Sequence, residues 1–211
     1  MKSKGKLDVY INLWGDFLIV LFSLFFFSFL ITENKYLAII PLVIFLFHSL
    51  KKLGAYSLME IAGLIGMRTE KHLALFIIVS ILSGFGLGVF YRSYVQTEIF
   101  PSAFSTFVFT ATLIGLSEEV VFRGYLMWVL RRHKYYIIIV LTAFTHASYK
   151  IALFLNTTDN NLFMLGFITF IVGLFLGCLK IRSQSIWPCI FFHVVFDIIV
   201  YGDGVTPWWV W

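Results

Sequence analysis

Charge is what this sequence lacks most. Only 13% of its 211 residues are Asp, Glu, Lys or Arg, against about 25% in an ordinary soluble domain. So little polar surface could not cover a soluble core, so water is excluded as the solvent for most of the chain. Cysteine is scarce too. Cys178 and Cys189 fall in apolar runs without CxxC spacing, which excludes a disulfide framework and leaves two small buried hydrophobes as the expectation. No basic patch interleaved with polar residues accompanies the net charge of +5, so nucleic acid is excluded as a partner. No internal repeat, low-complexity tract or linker divides the chain, and residues 1–211 are read as a single domain.

Hydrophobicity is what is present. Apolar residues make up 60% of the chain, and 25 of them are Phe. Seven apolar stretches stand out, at about 11–32, 36–50, 72–91, 100–130, 135–154, 162–179 and 186–201. A helix crosses a bilayer with about 20 apolar residues. The second and seventh stretches are short for that, and the fourth is long enough to be tilted or broken. The expected fold is all-α, a polytopic transmembrane bundle of about seven spans with membrane lipid around it. The basic start followed by an apolar run resembles a signal peptide. Asp8 and Asp16 interrupt that run and no small-x-small cleavage site follows, so it is read as a first span.

The loop charges orient the bundle. With a cytoplasmic N-terminus, one side collects Lys2, Lys4, Lys6, Lys51, Lys52, Arg68, Lys71, Arg131, Arg132, Lys134, Lys180 and Arg182. The other side holds Lys35 and Arg92, with Lys150 near that end of a helix. This asymmetry is the positive-inside pattern, and it places the C-terminus outside the cell membrane. The 51–71 segment mixes Leu53, Tyr56, Leu58, Met59, Ile61, Leu64 and Ile65 with charges, which predicts an amphipathic helix on the cytoplasmic face. Gly84 with Gly88, and Gly173 with Gly177, have the spacing that lets helices approach closely in lipid. The tail aromatics Trp208, Trp209 and Trp211 read as an interfacial anchor.

Against this background a few ionisable residues are out of place. An ionised side chain within a span costs about 2.5–3.5 kcal/mol even on mild scales, so each marks a candidate functional site. The fourth stretch carries Glu118, Glu119 and Arg123, the fifth His146, and the seventh His193 and Asp197. Counted from the cytoplasmic ends of their helices, Glu119, His146 and His193 all lie at a depth of about 17–18 Å at the helical rise. One buried site would require that agreement. Glu119 and Arg123 are i,i+4 and share a face, as do His193 and Asp197. His48, His72 and His133 fall near helix ends and are read as interface residues.

Two chemistries remain open on these residues. Two His and up to three carboxylates suit zinc or a similar divalent ion, with Glu118, His146, His193 and Asp197 as the ligands. Such a metal would lower the pKa of a bound water. Without it, a carboxylate and a His can activate water as general bases. Each residue alone also has an ordinary structural reading, as an ion pair or a helix–helix hydrogen bond. Their common depth favours a reactive site.

The motifs resemble a known family. Residues 118–123 read EExxxR, His146 follows on a later helix, and His193 with Asp197 reads HxxxD. This pattern is similar to that of the CAAX protease and bacteriocin-processing (Abi) family of intramembrane proteases, over about 100–201. One position departs: where the family often has Phe, four residues before the second-motif His, this chain has Thr142, with Phe144 two before. The resemblance implies a membrane-embedded endopeptidase with a cytoplasm-facing cavity and a peptide or prenylated protein as substrate. It implies that Glu118 and His146 activate water and that His193 and Asp197 stabilise the oxyanion or bind a metal. Glu119 and Arg123 would support the geometry. Ionised Asp only accepts hydrogen bonds, so Asp197 must be protonated, orient His193 or bind a metal. Two other classes compete: a bacteriocin immunity or partner-binding protein that keeps the motifs without catalysis, and a small proton-coupled transporter.

Overall fold

The computed structural model describes residues 6–54, 56–64, 66, 72–94, 98–156 and 161–203. Lys2, Lys4, Arg68, Lys71 and the aromatic tail lie outside them. The described residues form helices and connecting turns, with no strand among them. The helices are α1 (Lys6–Glu33), α2 (Ile39–Leu53), α3 (Leu58–Leu64), α4 (Leu73–Tyr94), α5 (Thr106–Glu119), α6 (Met127–Val129), α7 (Tyr135–Phe154), α8 (Leu162–Ser183) and α9 (Trp187–Tyr201). Four are long and apolar enough to cross a membrane: α1 over Trp14–Glu33, α4, α7 and α8. The 15-residue α9 is a shorter apolar helix.

The long fourth stretch is broken, and the break is chemical. Between α5 and α6, Val120–Leu126 form a π-helical segment that starts immediately after Glu119. A π turn is wider than an α turn and is frequent at functional sites. Here it carries Phe122, Arg123 and Tyr125 into the interior, all of them buried.

Helices alternate in direction, so one end of the bundle gathers Lys52, Arg131, Arg132, Lys134, Lys180 and Arg182. At this end Lys52 of α2 pairs with Asp16 of α1 at 2.5 Å, and His48 lies 3.8 Å from the same carboxylate. His48 is buried at this end of the bundle. The short α3 lies here as well, capped by a reciprocal Ser57–Glu60 box. Ser57 holds the Glu60 carboxyl below its ordinary value through its backbone N–H and hydroxyl. Leu58 and Met59 are exposed.

α4 packs along α9, α7 along α8, and α1 against both α2 and α7. The small-residue spacings lie at two of these contacts. A Cβ at Gly84 would strike the Phe192 backbone, whose Cα and carbonyl carbon stand 3.2 Å from its position. Gly177 faces Ile139 across α7 and α8. Backbone cannot move aside as a side chain can, so Gly84→Ala is expected to force α4 and α9 apart and cost about 1–3 kcal/mol. A lowered thermal midpoint in detergent, with Gly86→Ala as the unaffected control, checks this; a Cβ at Gly86 meets nothing within 4 Å. Cys189 is buried as expected, whereas Cys178 is exposed on the outward side of α8. Both are free.

Candidate active site

The π segment, the end of α5 and the middle turns of α7 and α9 bring six residues together. Glu118 and Glu119 end α5. Adjacent helical residues point about 100° apart, so the two carboxylates meet different partners. Glu118 Oε2 lies 3.1 Å from His146 Nε2 and 3.8 Å from His193 Nε2. Glu119 Oε1 lies 2.9 Å from Arg123 Nη1 and 3.0 Å from His193 Nδ1. Glu118, Glu119, Arg123 and His146 are all nearly inaccessible to solvent.

Arg123 settles the hydrogen-bond directions. Its Nη1 also lies 3.1 Å from His146 Nδ1, and guanidinium only donates. His146 Nδ1 must therefore accept, so the neutral ring carries its proton on Nε2 and donates it to Glu118. His146 thus has no free lone pair. On α9 the logic runs the other way. Ionised Glu119 only accepts, so His193 Nδ1–H donates to it and the neutral ring keeps a lone pair on Nε2, facing Glu118. The orienting contact on His193 comes from Glu119 across the bundle. Asp197, one turn along α9, is buried with no hydrogen-bond partner on Oδ2 among the described residues.

Close packing holds this arrangement. A Cβ at Gly115 would sit 2.6 Å from Asp197 Oδ2 and 2.7 Å from His193 Cδ2, so α5 needs a glycine here to let α9 present both groups. Thr142 is buried with its hydroxyl bonded back to Ile138 O at 2.8 Å, while Phe144 is half exposed. The aromatic ring that packs on His146 is Phe122 of the π segment, with ring centroids 4.4 Å apart.

Sequence reasoning missed one participant. Lys150, counted above as a topology marker, places Nζ 2.6 Å from Glu118 Oε1. The signal was its i,i+4 spacing from His146 on one face of α7.

Two spaces reach Glu118. A cavity of about 130 Å³ is lined by Glu118, His146, Lys150, His193 and Asp197 with an otherwise mainly apolar wall. It occupies the half of the bundle away from the basic end, between the later parts of α4, α7 and α9 and the first part of α8. A cleft of about 410 Å³ runs between α1, α2 and α5, lined by residues such as Leu24, Leu42, Phe45, Leu113 and Val121. Only Glu118 and Ile114 line both.

The donor set does not fit a divalent ion as arranged here. Among the described residues no three or more His, Cys, Asp and Glu side chains are grouped to hold one. Lys150 forms an ion pair with one Glu118 oxygen, and Arg123 donates to His146 Nδ1.

The fold and site define a class: a helical membrane protein with carboxylates and imidazoles gathered in its apolar interior. Within it, residues 100–199 match the family model described as Type II CAAX prenyl endopeptidase Rce1-like, the family that the motifs resemble. That match indicates a peptide hydrolase of the CAAX protease type in a membrane. No curated protein and no solved structure matches the chain.

Proposed function

We propose that this protein is an intramembrane endopeptidase in which Glu118 activates a water against a peptide bond of a membrane-associated or lipidated substrate. One observation carries the reading. Glu118 stands between two imidazoles and lines both the inner cavity and the apolar cleft, so a lipid-bound substrate and a water can reach one carboxylate.

The 3.8 Å gap between Glu118 Oε2 and His193 Nε2 is too long for a direct hydrogen bond but suits a water bonded to both acceptors. Water oxygen attacks the carbonyl carbon, and its proton passes to Glu118. When the intermediate collapses, Glu118 returns that proton to the leaving amine as the C–N bond breaks. Protonation of Oε2 releases the His146 Nε2–H to stabilise the oxyanion. Glu119 fixes the His193 ring, Arg123 fixes Glu119 and His146, and Asp197 is the polar group left to face the substrate. Residues 100–201 form the catalytic core of the single domain.

The topology belongs to the same proposal: about seven crossings, with the N-terminus cytoplasmic and the C-terminus outside. Two expectations part here. The loop charges direct the cavity's half of the bundle away from the cytoplasm, whereas the resemblance implies a cytoplasm-facing cavity. Labelling of single cysteines at 98 and 203 in intact cells assigns that end of the bundle to one side.

The test of activity is cleavage by purified wild type of farnesylated and unlipidated quenched fluorescent peptides, with and without chelator. Cleavage stronger on lipidated peptide is expected. Loss in chelator, restored by zinc, would put a divalent metal back among Glu118, His146, His193 and Asp197. No cleavage of any peptide would count against the enzyme.

A further inference from the structure

The two adjacent carboxylates are each held by a cation from a different place. Glu119 has Arg123, its own i,i+4 neighbour, at 2.9 Å. Among the described residues Glu118 makes no ion pair with a cation of its own helical run. Its partner is Lys150 of α7, at 2.6 Å.

Lys150 reaches that position for a geometric reason. Helical side chains lean toward the N-terminus and cover the preceding turn. Lys150 follows His146 by one turn, so its four-carbon stem brings the ammonium back to the level of the imidazole. α7 therefore meets Glu118 twice, His146 through a hydrogen bond on Oε2 and Lys150 through an ion pair on Oε1, an oxygen that has no hydrogen-bond partner among the described residues. A carboxylate held by one oxygen can rotate about its terminal bond. Bonded at Oε2 and drawn by a positive charge at Oε1, it presents Oε2 to the two histidines and to the space between them. The Lys150 side chain retains some exposure where Glu118 has almost none, and both line the cavity.

We propose that Lys150 is the positioning residue for Glu118: it fixes the carboxylate plane so that Oε2 faces the site shared by His146 and His193. Motif positions alone do not contain this role, since Lys150 lies outside EExxxR, the second-motif His and HxxxD. The inference rests on the peptidase reading.

The experiment compares wild type, Lys150→Met, Lys150→Arg, Glu118→Gln and the Lys150→Met/Glu118→Gln double variant in full-length, purified protein. Two quantities are read: cleavage of a farnesylated quenched fluorescent peptide, and the thermal midpoint. Lys150→Met is expected to lower kcat about a hundredfold with KM within threefold, and Lys150→Arg to recover most of that loss. The midpoint lost in Lys150→Met is expected to be regained in the double variant, because the second change removes the charge left without its partner. If wild type cleaves and Lys150→Met cleaves within threefold of it, the positioning role is overturned. Additive midpoint shifts would overturn the pairing itself, and they do so whether or not any peptide is cleaved. A wild type that cleaves nothing counts against the peptidase reading, while the midpoints still judge the pair. Should Lys150→Met not purify as a monodisperse protein, Lys150→Gln takes its place in the same comparison.

Discussion

Glu118→Gln is expected to lower peptide cleavage about a thousandfold, within the range of general acid–base catalysis, while the protein still folds. The amide has the shape of the carboxylate, so packing in the cavity and the cleft is kept. What disappears is the acceptor that takes the water proton, together with the charge that Lys150 and His146 address. The measurement is kcat/KM on the best lipidated peptide, with the thermal midpoint alongside. The same variant separates the classes of function. An immunity or partner-binding protein would keep its biological effect in Glu118→Gln, because binding needs no proton acceptor there. A proton-coupled transporter would show wild-type proton flux in vesicles, no peptide cleavage, and loss of flux in the variant. Cleavage that persists at the wild-type rate would remove Glu118 from the mechanism.

The order of helices and the depth of the reactive groups were legible in the sequence because both follow from linear counting. Apolar run lengths mark helices, and equal residue counts from basic ends place side chains at equal heights. The Glu119–Arg123 pair was legible for a similar reason, since i,i+4 spacing needs no tertiary information. Contacts between helices were not. His193 has a carboxylate on its own face, Asp197, and local spacing points there; the observed partner is Glu119 from α5. Lys150 sits near a helix end on a linear count, and only the backward lean of its side chain brings it to Glu118. Cys178 shows another limit. In lipid the outward face is as apolar as the core, so an apolar run does not tell which of its residues are covered.

Arg92 reads as a loop charge in the sequence, yet it is buried at the end of α4. It pairs with Asp203 at 2.7 Å and donates to backbone carbonyls, among them that of Ile199 near the end of α9. A sequence pass assigns such a residue to topology because it lies at a span end. The structure assigns it to the joint between α4 and α9, which carries the two site residues of the last helix.

Arg123→Met is expected to be the most damaging single change to the fold. Arg123 is almost fully buried, and its Nη1 serves both Glu119 and His146. Removing one member of a buried pair leaves the other charge without compensation, at about 3–5 kcal/mol. A domain is stable by only about 5–15 kcal/mol, so most of the margin goes, and the variant should aggregate on extraction or melt far below wild type. Arg123→Lys separates the two duties. An ammonium can still compensate Glu119, but a planar fork and a point charge are not interchangeable at a shared contact. With His146 Nδ1 no longer supplied with a donor, the ring is free to carry its proton on that nitrogen, and the Nε2–H contact to Glu118 is lost. Arg123→Lys should therefore fold, with a midpoint close to wild type, and cleave about ten- to a hundredfold more slowly. Equal losses of stability and activity in both variants would mean that Arg123 supports the bundle alone. A stable, slow Arg123→Lys would tie the tautomer of His146 to the rate, because the charge is kept and only the direction of one hydrogen bond has changed.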